Sequence, residues 1–188
     1  PDDFEPPVGG LNRRQSDDRW TQDERALRFK LPAAQAFARA NALDRTVVAP
    51  EGRKRIAFVA AGKAFNDLRE AFAMLGLDAA ELSRLGVGVR KIALVWTLED
   101  VANAGFLRGF EEVVAIEEKR AVIESQLDAL TRHWPASQRP RCCGKRDPQG
   151  RTLLPEHGEI GPLAVASAVL ERLAANALLT AAQIAAIA

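Results

Sequence analysis

Val113-Val114-Ala115-Ile116-Glu117-Glu118-Lys119-Arg120 is the stretch on which the fold turns. Four apolar residues run without a polar break, the pattern of a strand buried on both faces. Four charges follow at once. Ile123, Leu127, Leu130 and Trp134 then recur at helical spacing and mark one face of a helix. In open α/β sheets, ligands and partners meet the carboxyl ends of the strands. The run therefore brings two carboxylates and two cations to the edge where function usually resides.

The same alternation extends in both directions. Upstream, Ile56 to Ala60 is a short apolar run and Phe65, Leu68, Phe72 and Leu75 form a helix face that Gly76 can end. Asp78 with Glu81 matches a capping box for a short helix. Lys91 to Trp96 is the next expected strand, and Thr97 with Asp100 the expected cap of the helix after it. Glu112 to Ile116 is the third strand and Arg139 to Cys143 the fourth. Asp147-Pro148-Gln149-Gly150 marks a turn in the loop from Gly144 to Gly158. Leu163, Ala166, Leu170 and Leu173 predict a helix, and Thr180 with Gln183 caps one more. Strands alternating with helices predict βαβ units and a mostly parallel sheet in a three-layer α/β/α domain.

Residues 1–20 read as a linker or extended arm, and 21–188 as the α/β domain. Pro1 to Asp18 holds three prolines and Gly9-Gly10 without a clean period. A helical pattern begins at Thr21, and Pro32 should start a second helix or kink the first. Val47 and Val48 precede a loop around Pro50 and Gly52. No signal-peptide pattern is visible, and Pro1 in place of Met suggests a piece cut from a longer protein.

The chain has 188 residues, 47% hydrophobic and 27% charged, which suits one soluble globular domain. A formal net charge of +1 gives no reason to expect nucleic acid or a membrane as partner. The alanine-rich tail after Leu173 is interrupted by Asn176, Thr180 and Gln183 and falls short of a membrane span. The only cysteines, Cys142 and Cys143, are adjacent and cannot staple a fold, which suits a reducing cytoplasm.

Four places could carry chemistry. Gly62-Lys63 closes the first βα turn and could hold an anion at a helix N-terminus. It fits a tight turn with a solvated lysine better, and it lacks the remaining P-loop residues. Gly86-Val87-Gly88 precedes a strand and so fails as a dinucleotide fingerprint. Cys142-Cys143 reads as two small packed hydrophobes, with a redox pair as the alternative. His157, between Glu156 and Glu159, reads as a loop residue, with an acid–base role as the alternative. In Glu117-Glu118-Lys119-Arg120, acids suit the start of a helix and cations do not, which hints at an outside partner.

With these residues in view, the chain resembles the middle part of the indolepyruvate ferredoxin oxidoreductase family, fused 2-oxoacid:ferredoxin oxidoreductases. The resemblance rests on Gly9-Gly10-Leu11-Asn12, Arg28 to Pro32, Ala36 to Asn41, Gly62-Lys63 with Asp67-Leu68-Arg69, and Trp96 to Glu99. It continues through Glu117 to Arg120, Ile123 to Leu127, Arg139-Pro140-Arg141, Gly144-Lys145 and Pro155 to Glu159. Thr97 stands where the family often has Pro, and Cys142-Cys143 where it has aliphatic residues.

The resemblance implies a domain similar to the transketolase C-terminal domain. It implies a parent that decarboxylates arylpyruvates oxidatively to an acyl-CoA. That parent would use thiamine diphosphate, Mg²⁺ and iron–sulfur clusters, with CoA as cosubstrate and ferredoxin as electron acceptor. Neither a thiamine-diphosphate motif nor a cluster motif occurs in this chain. The expectation is therefore a domain with no catalytic, cofactor-binding or metal residues of its own. Its partners would be other domains of the same polypeptide, in a homodimeric parent. Gly62, Lys63, Glu117, Glu118, Lys119 and Arg120 are its candidate interdomain or anion-binding residues. The alternative is a module that binds CoA or another anion through these cations.

Overall fold

The computed structural model describes residues 4–187. Five strands form one sheet in the order β1-β3-β2-β4-β5. They are β1 Arg45–Val48, β2 Ile56–Ala61, β3 Val87–Ile92, β4 Glu112–Ile116 and β5 Arg141–Cys143. All neighbours pair in parallel except β1, which runs antiparallel to β3 at the edge.

Alternation along the central strands sorts side chains to two faces. Ile56, Phe58 and Ala60 of β2 join Val114 and Ile116 of β4 in one core with α3 Gly62–Met74, α4 Ala79–Arg84 and α7 Pro162–Ala175. Ala57 and Val59 join Val113 and Ala115 in a second core with α5 Asp100–Leu107 and α6 Ile123–Thr131. Helices thus cover both faces, and the three-layer α/β/α class expected from the sequence is the one observed. Each fully buried Phe or Ile here contributes roughly 1.5–3 kcal/mol.

Two strands differ from expectation. The strand expected over Lys91 to Trp96 lies instead at Val87–Ile92. Gly88 sits inside it because Phe110 and Phe106 fill the space where a Cβ would stand, 2.4 and 3.2 Å away. Beyond it, the Asp44 carboxylate takes the N–H groups of Ala93 and Leu94 and turns the chain out of the sheet. The edge strand β1 is mostly exposed and bulged near Val47, so no apolar run announces it.

Helix details differ as well. α1 Arg19–Arg25 passes through a π-helical turn, Ala26–Lys30, into α2 Leu31–Ala40. Pro32 has no N–H to give an α-helical partner, and the wider turn accommodates it in the first turn of α2. The N-cap of α5 is Glu99, not Thr97: its carboxylate accepts the N–H groups of Val101 and Ala102. Leu163 is 69% exposed, and Val165, Ala166, Val169 and Leu173 form the buried face of α7 instead. Asp78 caps α4, and Thr180 with Gln183 forms a reciprocal cap for α8 Ala181–Ile187.

One ion pair ties α7 to the sheet. Glu112, fully buried at the start of β4, accepts Nε and Nη2 of Arg172 at 2.9 Å each. Arg141 of β5 adds a 3.2 Å contact to the same carboxylate. Removing one partner would strand a buried charge. Arg172→Met should destabilise the domain by about 3–5 kcal/mol in denaturant unfolding, and Glu112→Leu/Arg172→Met by less.

Candidate functional site

The strand order reverses between β2 and β4. The chain leaves β2 for β3 on one side and later sets β4 on the other. Ligands in such sheets sit at the carboxyl ends beside that reversal. Lys63, just after β2, and Glu117 to Arg120, just after β4, both lie there, so the structure brings the candidate residues together.

Their roles separate sharply. Glu117 is 8% exposed and turns inward. Its carboxylate accepts the N–H groups of Val122, Ile123 and Glu124 at 3.0, 2.8 and 3.0 Å. It therefore caps α6 from several residues upstream, satisfying three of the four donors a helix start leaves open. Glu118 instead reaches across the reversal to Lys63. Lys63 Nζ donates to Glu118 at 3.0 Å, to Asp67 at 2.8 Å and to the Ile160 carbonyl at 2.6 Å. Gly62, with φ +53, makes the turn into α3 in a conformation that L side chains rarely adopt.

Lys119 and Arg120 are what remains. Lys119 has φ +56, and the turn leaves both side chains exposed. Neither makes a hydrogen bond or ion pair among the described residues. At the same edge of the sheet the loop after β3 exposes Val95 and Trp96, the latter 67%, and exposed Val122 precedes α6. Gln126 joins these pieces: its Nε2 donates to the Val95 and Val122 carbonyls, and its Oε1 accepts the Leu98 N–H.

Lys145 is a member of this site that the charge run does not reveal. It follows β5 and is 4% exposed. Its Nζ donates to the backbone carbonyls of Glu117 and Pro155, and its N–H to Glu124. Burial pushes the Lys145 amine down and the Glu124 carboxyl up. A Cβ on Gly144 would stand 2.7 Å from the Ala115 carbonyl oxygen, so only glycine lets β5 close on β4 there. The available signal was the repeat itself, since Gly62-Lys63 and Gly144-Lys145 both follow strands.

The other candidates stand apart. Cys143 is buried, Cys142 is half-buried, and both are free. Burial pushes both thiols up, away from the thiolate that redox chemistry needs. His157 is exposed in its loop. No group of three or more His, Cys, Asp or Glu is placed to hold a metal ion among the described residues. Nor does the donor set at the reversal suit a magnesium diphosphate: Glu117 is filled by backbone N–H groups, and Glu118 by Lys63. Two neighbouring thiols are half of what an iron–sulfur cluster takes.

A family model described as an indolepyruvate oxidoreductase domain matches residues 40–188. The match covers most of the chain, which belongs to that family. No curated protein and no solved structure matches it. No helix among the described residues is long and apolar enough to cross a membrane.

Two measurements check the site's wiring. Glu117→Ala should cost about 2 kcal/mol, because several N–H groups lose a charged acceptor, and amide exchange at 122–124 should quicken. The second uses pH. The hydrogen bond from Lys63 holds the Glu118 carboxyl below its ordinary 4.5. A carboxyl lowered on folding contributes stability above its unfolded value, and that contribution is lost as pH falls through the folded value. The melting midpoint of the unaltered chain should therefore fall more steeply than that of Glu118→Gln between roughly pH 5 and 3.

Proposed function

We propose that this chain is a non-catalytic assembly domain of a larger indolepyruvate oxidoreductase, and that it docks through the carboxyl edge of its sheet. The observation that carries this reading is the division of labour at that edge. Glu117, Glu118, Lys63 and Lys145 are all engaged within the domain. Lys119 and Arg120 alone of the charged run are exposed, and the same edge of the sheet also exposes Trp96, Val95 and Val122. Exposed aromatic and aliphatic groups rimmed by unpaired cations suit a protein surface that presents apolar groups and carboxylates. A free anion is served less well, because at Lys63 it must displace two carboxylates already in place.

The parent reaction in this proposal is oxidative decarboxylation of an arylpyruvate to an acyl-CoA, with electrons passed to ferredoxin in the cytoplasm. Thiamine diphosphate would supply the carbanion chemistry from another domain. This chain contributes a rigid wall. The Glu117 cap and the Lys145 anchor fix the edge, so docking orders few side chains and loses little entropy. Homodimer formation in the parent is part of the same proposal.

The test uses the isolated chain and the longer polypeptide side by side. The isolated chain should give no turnover with indolepyruvate, CoA and ferredoxin; turnover would end the assembly reading. In the longer polypeptide, Lys119→Glu/Arg120→Glu should lower assembly or activity at least about 10-fold by like-charge repulsion. The same pair should leave the isolated chain's stability within about 0.5 kcal/mol. Full activity and normal assembly with both charges reversed would contradict docking at this edge.

A further inference from the structure

Arg45 and Lys91 stand directly opposite each other where β1 pairs with β3. Such partners hold their Cβ atoms about 5 Å apart, and like charges so placed destabilise a sheet. No carboxylate inside the domain answers this pair. Neither side chain makes a hydrogen bond or ion pair among the described residues, and Lys91 Nζ lies 5.1 Å from the centre of the Phe65 ring. Arg69, one turn after Phe65 on α3, brings a third exposed cation to the same place. It too is without an ion pair among the described residues.

Register puts all three on one face. Val87 and Val89 of β3 pack in the core with α3, and Lys91 continues that alternation. Between α3 and the β1–β3 pair lies a groove of about 620 Å³, a size that falls within the range of small-molecule sites. The three cations share its lining with Leu43, Val47 and Phe65, and no carboxylate lines it. Asp44, next to Arg45, is spent on the Ala93 and Leu94 N–H groups and the Asn103 amide. Asp67 of α3 is held by Lys63, and Glu70 lies outside the lining. The groove is therefore positive, and it sits at the carboxyl end of β3, where open α/β sheets take ligands.

We propose that this groove binds a small phosphorylated molecule, its phosphate held by Arg45, Arg69 and Lys91 and its organic part against Leu43 and Val47. A phosphate monoester carries roughly two negative charges and three strong acceptor oxygens, so one group can answer three cations from three elements. A carboxylate, with a single charge and two oxygens, answers fewer. The guanidinium forks of Arg45 and Arg69 suit phosphate oxygens in pairs, and Lys91 adds a point charge. Neither Lys119 nor Arg120 lines the groove, so the site is independent of the docking proposed for them.

Titration calorimetry of the chain with phenyl phosphate, inorganic phosphate and benzoate, all at the same ionic strength, tests this. Phenyl phosphate should bind in the millimolar range or tighter, and more tightly than either of the others. Arg45 and Arg69 are exposed, so Arg45→Ala and Arg69→Ala should keep the fold and each weaken binding ~10-fold, as loss of one charge-assisted contact does. Lys119→Ala/Arg120→Ala should leave affinity unchanged. No heat with phenyl phosphate up to about 10 mM, equal affinity for inorganic phosphate or benzoate, affinity unmoved by Arg45→Ala and Arg69→Ala, or affinity lost with Lys119 and Arg120 instead would each overturn the proposal.

Discussion

The acceptance of three backbone N–H groups by the Glu117 carboxylate sets the geometry of everything at the functional edge. A buried carboxylate is costly unless its lone pairs are filled, and the first turn of a helix offers unfilled donors in the right place. Meeting both needs at once folds the link between β4 and α6 back on itself. The residues in between then have few choices. Glu118 reaches Lys63 across the strand reversal, Lys119 takes a left-handed conformation, and Arg120 points away. Lys145 secures the turn by donating to the Glu117 carbonyl from the neighbouring strand.

The sheet makes such wiring necessary. Its central strands are buried on both faces, so polar groups reach the surface only at strand ends. At the amino end the charges close inward as well. Glu112 with Arg172 and Arg141 joins β4 to α7 and β5. This is a structural clamp, since the carboxylate is sealed and two arginines from different elements converge on it. At the carboxyl end the same residue types leave Lys119 and Arg120 over, on the edge that also exposes Trp96. The two ends thus differ in how fully their charges are engaged within the domain.

Much of this was legible in the sequence. β4 is an apolar run followed at once by charge, so the strand and the start of α6 were readable; α6 ends at Thr131, however, and Trp134 lies beyond it rather than on its face. The family was readable from ordered motifs, and the family model agrees. Harder to read were features whose cause lies far away in the chain. Gly88 is strand because two phenylalanines from α5 and the turn after it need the space. The strand ends at Ile92 because Asp44, from before β1, takes the next N–H groups. Glu117 looked like one of four equal charges; only the folded turn shows that it is spent on α6. The second Gly-Lys pair marks Lys145 as a strand-end residue, but its burial was not readable, since the matching Lys63 stays half exposed.

The central claim is that the carboxyl edge, with Lys119, Arg120 and Trp96 outward, is covered by another part of a larger polypeptide. Hydrogen exchange measured on the isolated chain and on that polypeptide addresses it most directly. The account predicts slower exchange at 93–98 and 117–126 in the larger protein, with the exposed side of α7 unchanged. Equal exchange at both edge segments in the two proteins would contradict it.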